Sequence, residues 1–155
     1  MSEWVTDPET GFALGLPNGW EQLQYDGLSL AIAIPVPDGY PYRPNITVLI
    51  AEIGSEVDIR KLGTDAIVAA KLTSDDPHVL AYDLHLAPDG VVGRRLTFAY
   101  RSDANAIAVT QWLLLHQGLY MVITASCLIS DLTTVQQAFE YSVDVLRLPG
   151  AEVSA

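Results

Sequence analysis

A chain of 155 residues, half of them hydrophobic and 17% charged, has the size and composition of one domain with a large core, which excludes a disordered polymer and a fold that depends on staples. Nineteen acidic residues against eight basic ones give a net charge of −11. Such a surface repels phosphate backbones and anionic lipid headgroups, so nucleic acid is set aside; a basic protein, or a cationic segment of one, fits it electrostatically, and the alternative is that the charge serves solubility alone.

Trp4 opens the chain in a polar segment, where it either packs over a sheet or stays available. Phe12, Leu14 and Leu16 alternate with small residues and predict a half-buried strand over 12–16. Pro17-Asn18-Gly19 forces a turn, because Pro presets φ and Asn and Gly tolerate positive φ. Trp20 follows and can cover the end of a core. Short strands are predicted over 21–25 and 28–34, joined through Asp26-Gly27, a strong hairpin signal.

Residues 35–44 carry four prolines, which exclude helix and central strand. Prolines also lower the entropy of a loop, so ordering it on a partner costs little. Tyr40, Tyr42 and Arg43 are residue types that dominate binding hot spots. Pro37, Tyr40, Pro41, Tyr42 and Arg43 therefore form the first candidate binding surface; the alternative is that the tyrosines fold back over the sheet edge. A strand over 46–53 places Ile46, Val48 and Ile50 on one face and Leu49, Ala51 and Ile53 on the other, which predicts a central strand covered on both sides.

A helix is predicted over 58–73, with Asp58 as N-cap and Ile59, Leu62, Ala66, Ala69 and Ala70 as its inward stripe. Gly63 is expected to weaken it by about 1 kcal/mol relative to alanine. Antiparallel strands follow at 78–87, 91–101, 107–116 and 119–128, with turns at 88–90, 102–105 and 117–118; connections this short favour a meander. On the third of these, Thr110, Trp112 and Leu114 share a face and Val109, Gln111, Leu113 and Leu115 take the other. Both faces are largely apolar. Two helices do not suffice to cover everything, so Thr110, Trp112 and Leu114 form the second candidate surface, an open groove for a hydrophobic peptide, a partner helix or a second copy in a homodimer; the alternative is plain burial. The closing helix begins at Ser130-Asp131, both good caps, and runs to about Leu146 with Leu132, Val135, Phe139 and Val143 inward. Arg147 complements its dipole, Pro149-Gly150 stops it, and residues 151–155 form a mobile tail. The fold class is α+β: a strongly twisted antiparallel β-sheet with two main helices packed on it, an α/β/α-like sandwich in one domain over 1–150.

The chemistry-bearing residues are sparse. His78, His85 and His116 are the side chains that titrate near neutrality without help. Asp83-x-His85 and Asp75-Asp76-x-His78 each bring polar groups together, yet a metal site wants three or four converging ligands, and no HxH, HExxH or CxxC spacing occurs. Cys127 with His116 is a formal nucleophile and base, but Cys127 lies in the apolar run 121–129, where a lone cysteine is a small core residue. No Gly-x-Ser-x-Gly elbow or phosphate-binding glycine loop occurs. The expectation is no catalytic residue, no cofactor and no metal. The opposing class, an enzyme or small-ligand carrier, requires a pocket between sheet and helix lined by Asp83, His85 and Arg94. With no apolar run of signal-peptide or membrane-spanning length, the expected location is cytoplasmic.

The run Gly11-Phe12-Ala13-Leu14-Gly15-Leu16-Pro17-Asn18-Gly19-Trp20 resembles the opening of bacterial members of the PsbP-like fold. Arg43-Pro44-Asn45-Ile46-Thr47-Val48 is similar to their next central strand. The segments at Gly93-Arg94-Arg95-Leu96-Thr97-Phe98 and Gly118-Leu119-Tyr120-Met121-Val122 resemble their late hairpins, with the terminal helix through Phe139 in place. That group includes the photosystem protein PsbP, the yeast Mog-type Ran-binding factor, the DcrB group, the mycobacterial LpqN and LpqT lipoproteins and small chaperones of type VI secretion effectors. The resemblance covers nearly the whole chain in order, with an LpqN-like flavour, although the lipidation cysteine of the lipoproteins is missing. It implies a non-catalytic binding role, as an adaptor or chaperone for another protein, with an effector chaperone that shields an apolar segment as the variant; fold likeness by itself names no partner.

Overall fold

The computed structural model describes residues 3–54 and 56–150; the predicted tail, 151–155, lies outside the described residues. The elements are β1 (Glu3–Thr6), β2 (Ala13–Leu16), β3 (Glu21–Leu23), β4 (Leu30–Ala33), β5 (Asn45–Glu52), α1 (Ile59–Thr73), β6 (Asp75–Leu86), β7 (Val92–Ser102), β8 (Asn105–His116), β9 (Leu119–Leu128) and α2 (Leu132–Asp144). Seven strands make one antiparallel sheet in the order β3-β4-β5-β9-β8-β7-β6. This is the predicted α+β architecture, and β6 to β9 form the meander because their connections are too short to pass a neighbour. At the β8–β9 hairpin, Gln117 and Gly118 adopt φ of 52° and 77°, the two-residue turn whose twist matches that of paired strands.

The N-terminal strands depart from the prediction. β1 and β2 pair with each other in a separate two-stranded sheet. Val5, Phe12 and Leu14 join one core with Ile46, Trp112, Leu114 and Ile123 of the large sheet and with Val135, Phe139 and Val143 of α2. The chain leaving α2 then returns to β2, where Ala13 and Arg147 exchange backbone hydrogen bonds of 3.0 and 2.8 Å. Trp4 is thereby engaged: its indole N–H donates to the Val145 carbonyl at 3.0 Å, and the Arg147 guanidinium stacks 3.8 Å from its ring centroid. Arg147 lies beyond the last turn of α2 and stacks on the indole that bonds its C-cap carbonyl.

α1 packs on the opposite face, over β6, β7 and β8. Ala70 and the half-buried Ala66 and Ile67 meet Leu96, Phe98 and Val109, while Ala69, predicted inward, is exposed. Asp58 caps α1 as expected, accepting from the Arg60 N–H at 2.8 Å. Gly63 has a different role from the predicted one. A Cβ there would sit 1.7 Å from the Tyr82 hydroxyl, so the missing side chain is what makes room for the Tyr82 phenol against the helix. Asp131 makes no capping bond to α2; its carboxylate is taken by Tyr40.

β5 lies inside the sheet as predicted, but only one of its faces is covered. Ile46 and Val48 are buried under α2, whereas Leu49 is 47% exposed, because α1 stops short of β5 on that side. The second candidate surface is corrected in the opposite sense. Trp112 is 2% exposed, Leu114 is fully buried and Thr110 is half-buried. Two helices were too few to cover that face, but the β1–β2 pair supplies the missing cover.

Candidate functional site

The proline-rich segment 35–44 is tied down by its own side chains. The Tyr40 hydroxyl donates to Asp131 Oδ2 at 2.5 Å, and this bond to a carboxylate raises the phenol's pKa. The Tyr42 and Ser126 hydroxyls lie 2.9 Å apart. Arg43 donates from Nε to the Ile34 carbonyl at 2.8 Å and its guanidinium pairs with Glu21. The tyrosines and the arginine thus act as anchors, and Pro37 and Pro41 are left exposed at the tip.

Tyr42 also reaches the edge of an open groove. α1 covers only part of its face, so two adjoining hollows of about 320 and 240 Å³ run between the C-terminal half of α1 and the floor formed by β7, β8 and β9. Tyr42 and Tyr100 close one end, and burial together with contact from Tyr42 raises the pKa of Tyr100. Thr73 and Ser74 form the helical wall. Gln111 and Thr124 form the floor, with Gln111 Nε2 donating to Thr124 Oγ1 at 3.3 Å. Tyr120 closes the other end; burial, and Asp65 beside it, raise its pKa. Among the described residues no charged side chain lines either hollow. The rim on the sheet side is apolar: Leu49, 47% exposed, stands opposite Val122 across β5 and β9.

This groove draws on β7, β8, β9, α1 and the proline-rich loop. Of its residues, sequence reasoning had singled out only Tyr42 as a binding candidate. The available signal was the interruption of two apolar strands by Gln111 and Thr124. Inward positions of that kind stay polar where no helix covers them. A larger cleft of about 730 Å³ lies between the 17–19 turn and α2, lined by Glu3, Asn18, Gln137 and Tyr141. Its wall includes Trp20, nearly buried and edge-on to Phe139 with centroids 5.9 Å apart, so Trp20 covers the end of the core as predicted.

The residues of a catalytic reading are not gathered. Asp83 and His85 share one face, but Arg94 stands opposite Leu84 and points to the other. The cation near them is Arg95, over the Trp112 ring at 5.7 Å and 3.6 Å from Glu140. Burial pushes the His85 imidazole down, with a smaller contribution in the same direction from Arg95, against Asp144. Cys127 pairs with Ala108 and His116 with Leu119, about eight strand positions or roughly 27 Å apart along β8. Among the described residues no three His, Cys, Asp or Glu side chains converge as a metal site requires, and no helix is long and apolar enough to cross a membrane.

Cys127 is fully buried, and burial pushes its thiol from 9.0 up to about 11. The raised folded-state value means that the neutral thiol stabilises the fold fully below about pH 9 and that this contribution fades as pH rises towards 11. Cys127→Ser places a hydroxyl in an apolar core and is expected to cost about 1–3 kcal/mol. Urea unfolding at pH 7 measures the loss, and thiol labelling of the native chain should proceed only through opening; rapid labelling without denaturant would contradict a core role.

No family model and no curated protein sequence matches the chain. Solved structures do. LpqN of Mycobacterium tuberculosis, described as involved in cell envelope biogenesis, is similar at a TM-score of 0.77 and 17% identity, over 96% of this chain and 91% of that one. The cyanobacterial PsbP (CyanoP) of Synechocystis is similar at a TM-score of 0.67 and 15% identity, over 95% and 92%. The Ran-binding protein Mog1p of Saccharomyces cerevisiae is similar at 0.65 and 11%, over 96% and 95%. The chain has the PsbP-like fold, as its sequence resemblance implied.

Proposed function

We propose that this PsbP-like chain is a non-catalytic binding module, an adaptor or chaperone for another protein, and that the partner presents a segment with apolar side chains and cationic flanks to the groove beside α1. The observation that carries this reading is a sheet face left open at β5 and β9, with an uncharged, hydroxyl-rich floor and the exposed Leu49 on its rim. Backbone amides of a partner segment suit the floor, its apolar side chains suit the rim, and its cations suit a surface of net charge −11. The proline-rich loop reaches this groove through Tyr42, and its exposed Pro37 and Pro41 extend the docking surface beyond it. That one fold relative is described as Ran-binding supports a protein as the ligand class. The same exposed leucine suits the variant in which the module shields an apolar segment of a secretion effector. The module is assigned to the cytoplasm, where a lone thiol stays reduced.

The test is capture of the partner by the native chain, followed by titration of the isolated pair against Thr124→Arg, which fills the half-buried floor with a cation. Affinity should fall at least tenfold in that variant and should weaken with salt in the native pair. Equal binding by the variant would move the site elsewhere. Turnover of a metabolite by the purified chain, abolished by substitution of His85 or Cys127, would end the reading.

A further inference from the structure

β6 is one of the two edges of the sheet and twelve residues long, and an unpaired edge of that length normally carries protection. The backbone protection here, a proline and irregular pairing, is confined to the first half. Pro77 and two irregularities, between Asp75 and His78 and between Val79 and Ala81, disrupt it up to Ala81. From Ala81 to Leu86 the strand pairs regularly with β7, and Leu84 and Leu86 are 69% and 72% exposed.

The direction of the free backbone groups follows from the register. Ala87 donates to the Val91 carbonyl at 2.8 Å, and hydrogen-bonded pairs recur every second residue, so His85, Asp83 and Ala81 face β7. Tyr82, Leu84 and Leu86 therefore turn their N–H and C=O groups outward. We infer that this edge binds the same edge of a second copy, antiparallel, about a two-fold axis at Leu84.

In that register Leu84 meets Leu84 of the copy, and Tyr82 and Leu86 meet each other's counterparts, forming about six backbone hydrogen bonds from the outward groups. Asp83 falls directly opposite the copy's His85, twice, in the non-hydrogen-bonded pairs where side chains stand closest. The neighbouring registers fail. An axis at Asp83 sets two aspartates face to face, and one at His85 sets two imidazoles together. An axis at Tyr82 leaves Asp83 opposite an alanine and runs into the irregular half. An axis at Leu86 brings in Pro88, which has no N–H to give. The strand is complementary to itself in one register alone. The resulting interface is isologous, as in most homodimers. Both α1 helices then lie on one face of a continuous sheet, with their β7 supports about 14 Å apart, wider than the 8–10 Å at which helices pack.

The full chain should sediment as a dimer at about 50 μM. Leu84→Lys, at an exposed position, sets like charges directly opposite each other and should raise the dissociation constant at least tenfold while circular dichroism stays native. Under mild oxidation Leu84→Cys should cross-link to a dimer, since its Cα atoms would be about 5.5 Å apart, inside the disulfide range. Leu86→Cys should stay uncross-linked, its Cα atoms being about 14 Å apart. A monomeric native chain, which would leave the edge to a strand of a different protein, overturns the proposal. So does cross-linking through Leu86→Cys but not Leu84→Cys, or an unchanged dimer in Leu84→Lys.

Discussion

Trp112→Ala is expected to lose about 4 kcal/mol of folding stability, within the roughly 3–5 kcal/mol typical of emptying a large aromatic from a core. Trp112 is 2% exposed and sits among Leu114, Ile123 and the side chains of α2 and the β1–β2 pair. His85 stands edge-on to its ring with centroids 6.5 Å apart, and the Arg95 guanidinium lies over it at 5.7 Å. The buried Nε of Arg95 has no hydrogen-bond partner among the described residues, so the ring is part of what compensates that cation. Removing it opens a cavity and strands the guanidinium together. Against a total stability of about 5–15 kcal/mol, the variant should be partly unfolded at physiological temperature or close to it. Denaturant titration reads the loss directly. A cost below about 1 kcal/mol, coupled to loss of partner binding, would instead mean that this face opens to solvent and serves as the docking surface that its apolar character suggested.

Gly93→Ala is the second large effect, at about 3 kcal/mol, the upper part of the usual range for overpacking. Gly93 lies in β7 opposite His85, and a Cβ built on it would stand 2.3 Å from the Leu113 carbonyl oxygen and 2.5 Å from Leu114 Cδ2. The leucine side chain can yield. The carbonyl cannot, because it belongs to the β8 backbone, where Leu113 is paired with both β7 and β9. Relief requires shifting a central ladder, and every pair in the meander feels that shift. For a chain of this length the midpoint of thermal unfolding should fall by roughly 6–12 °C. An unchanged midpoint would show that β7 and β8 do not approach as closely as this.

Much of the fold was legible because its determinants are local. The alternation in 107–116 and 119–128, the Gln117-Gly118 turn and the Asp58 cap each depend on residues within a few positions of one another. β1 was not legible: of Glu3, Trp4, Val5 and Thr6 only Val5 is buried, and a four-residue strand with one inward side chain leaves no period to read. Gly63 and Gly93 look like weak points in a helix and a strand until Tyr82 and Leu113 are seen against them. The candidate site was legible only in pieces. Tyr42 was marked by its type, but Gln111 and Thr124 become a groove floor only once α1 is seen to stop before β9.

The amino-acid order by itself determined the strands after β1, the two helices, their succession and the acidic surface, since alternation, turn chemistry, capping and charge act over short distances or by simple sum. Which side of each strand is covered was decided only in three dimensions. A pair of N-terminal strands closes over Trp112, and a helix of finite width leaves Leu49 and Thr124 at an open face. Cover is supplied by segments remote in the chain, and no local pattern in β5 or β8 records what will be folded over it.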